Sequence, residues 1–129
     1  MTLTSTLGTA GALGLVYLVL TVRVIRGRFA NGVSLGDGGK AVMQRRIRAH
    51  GNFAEYVPLV LILMALIELA GGNRTVLAAS GAAVVVGRVL HAIGIEIPKA
   101  PNPYRFLGGM ITFLLILGGS VWALFLALS

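Results

Sequence analysis

The sequence predicts an all-α membrane protein, a bundle of four transmembrane helices. Three observations carry that prediction. Of 129 residues, 57% are hydrophobic and 12% charged, with mean hydropathy +0.90, whereas a soluble domain carries about 25% charged residues. Four apolar stretches are each long enough to cross roughly 30 Å of hydrocarbon, which takes about 20 helical residues. Three of the four prolines, Pro98, Pro101 and Pro103, fall together between the third and fourth stretches. Residues 1–129 therefore read as one membrane domain with spans at about 3–25, 41–70, 75–95 and 104–128.

The first span, Leu3 to Ile25, has its basic residues after it and not before it, unlike a cleaved signal peptide. Gly8, Gly11, Ala12 and Gly14 give it a small-residue face suited to close helix packing. Gly27 to Lys40 is a polar, glycine-rich loop. Its Gly36-Asp37-Gly38-Gly39-Lys40 run is not a phosphate cradle, because Ser34 stands at the first-glycine position and Ala41 follows the lysine. A flexible turn is expected there. In the second span only Tyr56 to Ile67 lie between Glu55 and Glu68, so the helix has to extend back through Arg48. Pro58 lacks an N–H and crowds the carbonyl of Ala54, which predicts a kink. Gly71-Gly72-Asn73 makes the outer turn, and Asn73-Arg74-Thr75 has the form of a glycosylation sequon too close to the bilayer to carry weight. The third span contains Arg88 and His91 on one face. A loop with Pro98, Pro101 and Pro103 leads to the fourth, which has no charge after Arg105. Glu68 is expected to be a solvated helix-end residue. Tyr17 and Trp122 are expected to face the membrane or the core.

Net charge is +7. Arg23, Arg26, Arg28, Lys40, Arg45, Arg46 and Arg48 surround the first loop, and Lys99 and Arg105 flank the third, against Arg74 alone in the second. The positive-inside rule places loops one and three in the cytoplasm and both termini outside. That orientation accounts for the arginines without nucleic acid. The chain has no cysteine, which excludes disulfides, thiolate metal sites and a cysteine nucleophile. A metal site is not expected, since His50 lies about 200° around its helix from Arg48 and His91 has no ligand at metal spacing.

Arg45, Arg48, Asn52, Glu55 and Tyr56 fall on one side of the second helix at about 100° per residue. With Arg23, Arg26, Arg88, His91 and Arg105 they form a polar cluster at similar depth in the inner half of the bundle. Charge at that depth is expensive and marks functional sites. Several cations with one carboxylate and one amide suit a zwitterionic, multiply anionic small molecule. The arginines would clamp carboxylates and Glu55 would take an ammonium. The alternative is internal pairing, of Arg48 with Glu55 two turns on or of Arg88 with Glu55 across helices. Glu55 reads as the sole carboxylate on that face, so pairing leaves buried cations in want of an anion.

Arg48-Ala49-His50, Asn52, Glu55-Tyr56 and Pro58-Leu59 resemble the second-helix signature of the MAPEG family, membrane-associated proteins in eicosanoid and glutathione metabolism. Gly87-Arg88-Val89 and His91 resemble the third-helix segment of its prostaglandin synthase. The Leu35 to Gly39 loop and the short length are most similar to small bacterial members. The resemblance implies a homotrimer in a bacterial inner membrane, with glutathione as co-substrate between neighbouring subunits near the cytoplasmic side. It implies glutathione contacts from Arg48, Asn52, Glu55 and Tyr56, from Arg88 and His91, and from Arg23 or Arg26, one turn apart. Arg105 matches the arginine that stabilises the glutathione thiolate. Ile95 and Gly109 stand where eicosanoid enzymes place tyrosines.

The implied activity is a glutathione transferase or peroxidase acting on a lipophilic small molecule that arrives from the bilayer. Two other readings stand beside it: a non-catalytic family member binding a lipid or partner, and a small drug/proton exchanger. The exchanger would need a carboxylate in the first span, where none occurs between Leu3 and Ile25. The orientation is directly testable because the chain is cysteine-free. With a membrane-impermeant maleimide on spheroplasts, Asn73→Cys should label at once and Ser34→Cys only after permeabilisation. The reverse pattern would invert the topology.

Overall fold

The computed structural model describes residues 2–129. Four helices run in chain order: α1, Thr4–Asn31; α2, Ala41–Leu69; α3, Arg74–Glu96; α4, Pro103–Leu128. All four are long and apolar enough to cross a membrane. α2, α3 and α4 begin and end within one residue of the expected spans. α1 does not; it continues past Ile25 to Asn31. Hydropathy marks where hydrocarbon ends, whereas the helix ends where a residue breaks it. That residue is Gly32, at φ 63°, whose N–H bonds back to the carbonyls of Arg28 and Phe29.

α2 and α3 touch across the middle of the bundle, and each also touches α1 and α4. Among the described residues α1 and α4 make no contact with each other. The core is a column of Leu13, Leu20, Phe53, Val57, Val60, Met64, Leu77 and Val84. α2 passes through Pro58 without interruption.

The α3–α4 contact is the closest. A Cβ at Gly108 would overlap backbone atoms of Gly87 and His91, and one at Gly94 would overlap the backbone of Arg105. Asn102 fastens the same corner, donating to the Gly94 carbonyl at 2.8 Å and capping α4 by accepting from Arg105 N–H at 3.1 Å. By contrast, Gly8, Gly11 and Gly14 meet nothing within 4 Å. The small-residue face of α1 is therefore not used inside the protomer.

Two expectations for the ends of the bundle need correction. Glu68 lies at the partly exposed end of α2, as expected, but it is not merely solvated. Its carboxylate accepts from the N–H groups of Ser5 and Thr6, each at 2.9 Å, and from the Thr6 hydroxyl at 2.7 Å. It satisfies orphan donors at the start of α1, where no side chain of the N-cap residue does so. The Gly32–Lys40 loop is a folded knuckle, not a loose turn. Gly32, Gly36, Gly38 and Gly39 all have positive φ, and Arg28 Nη1 donates to the Gly36 carbonyl at 2.9 Å. At the opposite turn Asn73 caps α3, accepting from Thr75 and Val76 N–H at 3.0 and 3.1 Å.

Gly108→Ala should lower thermal stability in detergent by about 1–3 kcal/mol, the range for overpacking, because backbone surrounds the missing Cβ. Gly11→Ala should leave the isolated protomer unchanged. Equal melting temperatures for Gly108→Ala and the parent would refute the close α3–α4 crossing.

Candidate functional site

The centre of the inner half is Arg88. It is 2% exposed, and it lies eight residues from the end of α3 at Glu96, about 12 Å along the helix axis. Its Nη2 donates to Asn52 Oδ1 on α2 at 2.6 Å and lies 3.4 Å from His91 Nδ1, one turn along α3. Its Nη1 lies 3.4 Å from the Thr112 hydroxyl on α4, which itself donates to the Gly108 carbonyl at 3.0 Å. The guanidinium stands 5.7 Å from the Phe53 ring centroid. Nε is buried with no partner. Three helices therefore solvate one cation with neutral groups, and no carboxylate is among them.

Of the two alternative internal pairings, Arg88 with Glu55 does not form, and Arg48 with Glu55 does, at 3.3 Å with side chains 55% and 51% exposed. A pair so open contributes about 0–1 kcal/mol and is readily exchanged for another partner. Nor is Glu55 the only carboxylate in this half. Glu96, at the end of α3, meets Arg23 of α1 at 3.0 Å. Arg46 reaches the same region, donating to the Arg23 carbonyl at 3.2 Å.

The structure thus brings Asn52, Arg88 and His91 together and places Tyr56, edge-on to Phe113 at 5.5 Å, within electrostatic reach of Arg88. The charges of Arg48 and Arg105 also reach His91. Arg105 is exposed in the first turn of α4. Arg23 is separated from this group by its bond to Glu96, and Arg26 is exposed on α1. His50 faces the other way, 3.2 Å from the Thr21 hydroxyl and stacked on Tyr17 at 4.6 Å. Among the described residues no three histidine or carboxylate side chains converge where a metal could bind.

The sequence reading missed Thr112, Phe53 and Glu96. Thr112 had a signal: it is a hydroxyl seven residues after Arg105, hence on the same face of an apolar helix. Phe53 had none, because an aromatic at that position reads as ordinary core.

The sequence model of the MAPEG family matches residues 6–125. The chain belongs to the MAPEG family. The resemblance seen in the second-helix signature therefore extends over nearly the whole bundle. Two similar proteins are the Inner membrane protein YecN of Escherichia coli strain K12 and its counterpart from E. coli O6:H1. Each is 37% identical over 71 residues, 55% of this chain and 54% of theirs. The match thus spans about half the length of these curated relatives. No solved structure matches the chain. Four membrane-spanning helices and inner-membrane relatives make this MAPEG member an integral inner-membrane protein.

The Arg88 cage makes a stability prediction. Arg88→Met alone strands Asn52 Oδ1 and should destabilise by about 1–3 kcal/mol. Arg88→Met with Asn52→Leu removes both polar partners and should recover that loss or exceed it, as replaced buried ions often do. Additive losses in a thermal-unfolding cycle would show that the two side chains do not interact.

Proposed function

We propose that this MAPEG protein is a glutathione-dependent membrane transferase with peroxidase-like capacity, acting as a homotrimer with its thiol ligand between neighbouring protomers. The observation that supports it best is Arg88, a buried guanidinium with an unpartnered Nε and no carboxylate beside it. Unpaired buried charge is costly, and an anionic ligand would relieve it. The donor set fits glutathione. Arg48 suits a carboxylate through paired donors. Arg88 adds its buried positive charge and one unpartnered Nε–H behind Asn52 and His91, which suit the amides, and the loosely held Glu55 suits the ammonium. Tyr56 adds a phenol beside the cluster. On α1, Arg26 is free to reach a neighbouring protomer, whereas Arg23 is engaged by Glu96.

Bound glutathione would supply the nucleophilic sulfur that this cysteine-free chain lacks, for reaction with a lipophilic electrophile or hydroperoxide. Arg105 is the residue placed to favour thiolate. A free thiol has pKa about 8.5, and each unit of lowering is about 1.4 kcal/mol of differential stabilisation. Arg105 lies three residues after the α4 cap, where the helix dipole is already positive. The position is poor for helix stability and good for attracting an anion.

A second reading, a non-catalytic member that binds a lipid or partner, is favoured by Ile95. This apolar side chain, 8% exposed, sits one turn after His91 where a hydrogen-bonding ring would otherwise line the site. The exchanger reading gains nothing, since α1 carries no carboxylate.

Glutathione should raise the melting temperature of the purified protein, and Arg48→Ala should weaken binding by about 1.5–3 kcal/mol, the range for hydrogen bonds to charged groups. Arg105→Ala should leave affinity nearly unchanged, raise the bound thiol's pKa and slow conjugation to an aryl halide. Arg105→Lys should recover part of the rate. Absence of any glutathione effect on the parent protein would overturn the site. Binding without turnover would favour the second reading.

A further inference from the structure

The chain has four carboxylates, and each is engaged within the protomer. Glu55 meets Arg48, Glu96 meets Arg23, Glu68 holds the start of α1, and Asp37 accepts from the Gly39 N–H at 2.8 Å. Around the α1–α2 knuckle Arg26, Arg28 and Lys40 form no ion pair among the described residues, and these three cations stand against the single carboxylate of Asp37. Two of these cations are held in place by backbone. Arg28 donates to the Gly36 carbonyl and Lys40 Nζ to the Asn31 carbonyl, each at 2.9 Å.

Beside them stand two of the most exposed large apolar side chains in the protein, Phe29 at 86% and Leu35 at 87%. Phe29 is not an isolated exposure. It continues a stripe on α1 formed by Leu15, Leu18, Val22 and Ile25, all exposed and spaced three and four residues apart. The stripe begins at Leu7, which puts Phe29 about 33 Å away along the axis, close to the thickness of the hydrocarbon. This exposed side of α1, which also carries Gly8, Gly11 and Gly14, therefore ends at Phe29, near the membrane–water boundary. The knuckle follows immediately.

We infer that the Gly32–Lys40 knuckle is a preformed docking surface for anionic phospholipid. Arg28 and Lys40 face the phosphates, and Phe29 and Leu35 insert at the acyl boundary. The charge is complementary to an anionic leaflet, where each nearby Lys or Arg contributes about 1 kcal/mol, or about fivefold in affinity. The ordered glycine turn supplies these contacts without loss of loop entropy on binding.

The full chain in nanodiscs tests this. With Leu35→Trp in a Trp122→Phe background, emission should be blue-shifted and quenched by lipids brominated near the headgroup. Quenching should grow as phosphatidylglycerol replaces phosphatidylcholine. Arg28→Gln with Lys40→Gln should abolish that dependence on anionic lipid. Native mass spectrometry of the unmodified chain gives an independent measure. Phosphatidylglycerol should be retained over phosphatidylcholine, and the double variant should lose that preference by about 25-fold, the product of two fivefold losses. Water-like emission in every disc, or equal retention of both lipids, would overturn the inference. So would a blue shift independent of lipid charge that disappears on dissociation to monomers, which would assign the surface to a second copy of the chain.

Discussion

A guanidinium about 12 Å from the nearest end of its helix has no water to turn to, so the protein itself must solvate it. The inner half of the bundle is organised around that requirement. Arg88 draws an amide from α2, an imidazole from its own helix and a hydroxyl from α4. The hydroxyl of Thr112 reaches it because α3 and α4 approach backbone to backbone at Gly94 and Gly108. A side chain at either glycine would separate the helices, and Thr112 would no longer reach Arg88. The two glycines and the buried cation are thus parts of one arrangement.

Cations outnumber carboxylates eleven to four in this chain, and the structure distributes the four with economy. Two hold ion pairs, one seals the outer start of α1, and one folds the α1–α2 knuckle. None is left for Arg88. Neutral oxygens lower the cost of burying its charge but do not cancel it. The inner half therefore keeps a positive potential, to which Arg105 adds at the mouth of α4. This electrostatic excess is what the proposed anionic ligand would offset, whatever its identity.

The four spans were legible in the sequence because hydrophobic length is a property of each segment alone. The α1 boundary was misread for the same reason: hydropathy falls at Ile25, but nothing breaks the helix before Gly32. The site was legible in its parts and not in its pairings. Asn52, Arg88 and His91 could be grouped by depth, yet depth does not say which groups touch. Sequence left Glu55 open to either Arg48 or Arg88. In the bundle it lies along α2 with Arg48, while Asn52 occupies the α3 side. Glu68 was misread because its partners, Ser5 and Thr6, lie more than sixty residues away in sequence.

The same geometry bears on how a ligand would meet the site. Within one protomer Arg88 is enclosed, whereas Arg48, Glu55 and Arg105 open outward and α1 never reaches α4. The closed part can fix a charge, but it cannot surround a tripeptide. The open part has the matching functional groups and lacks a second wall. Gly8, Gly11 and Gly14 on α1 present a surface with no neighbour inside the protomer, and small residues of this kind let helices pack closely in lipid. A neighbouring α1 bringing Arg26 toward the outward-facing side chains would supply both wall and cation. On the proposed trimeric reading, the charge imbalance and the unused glycine face would share one explanation, with each protomer carrying only the buried half of the site.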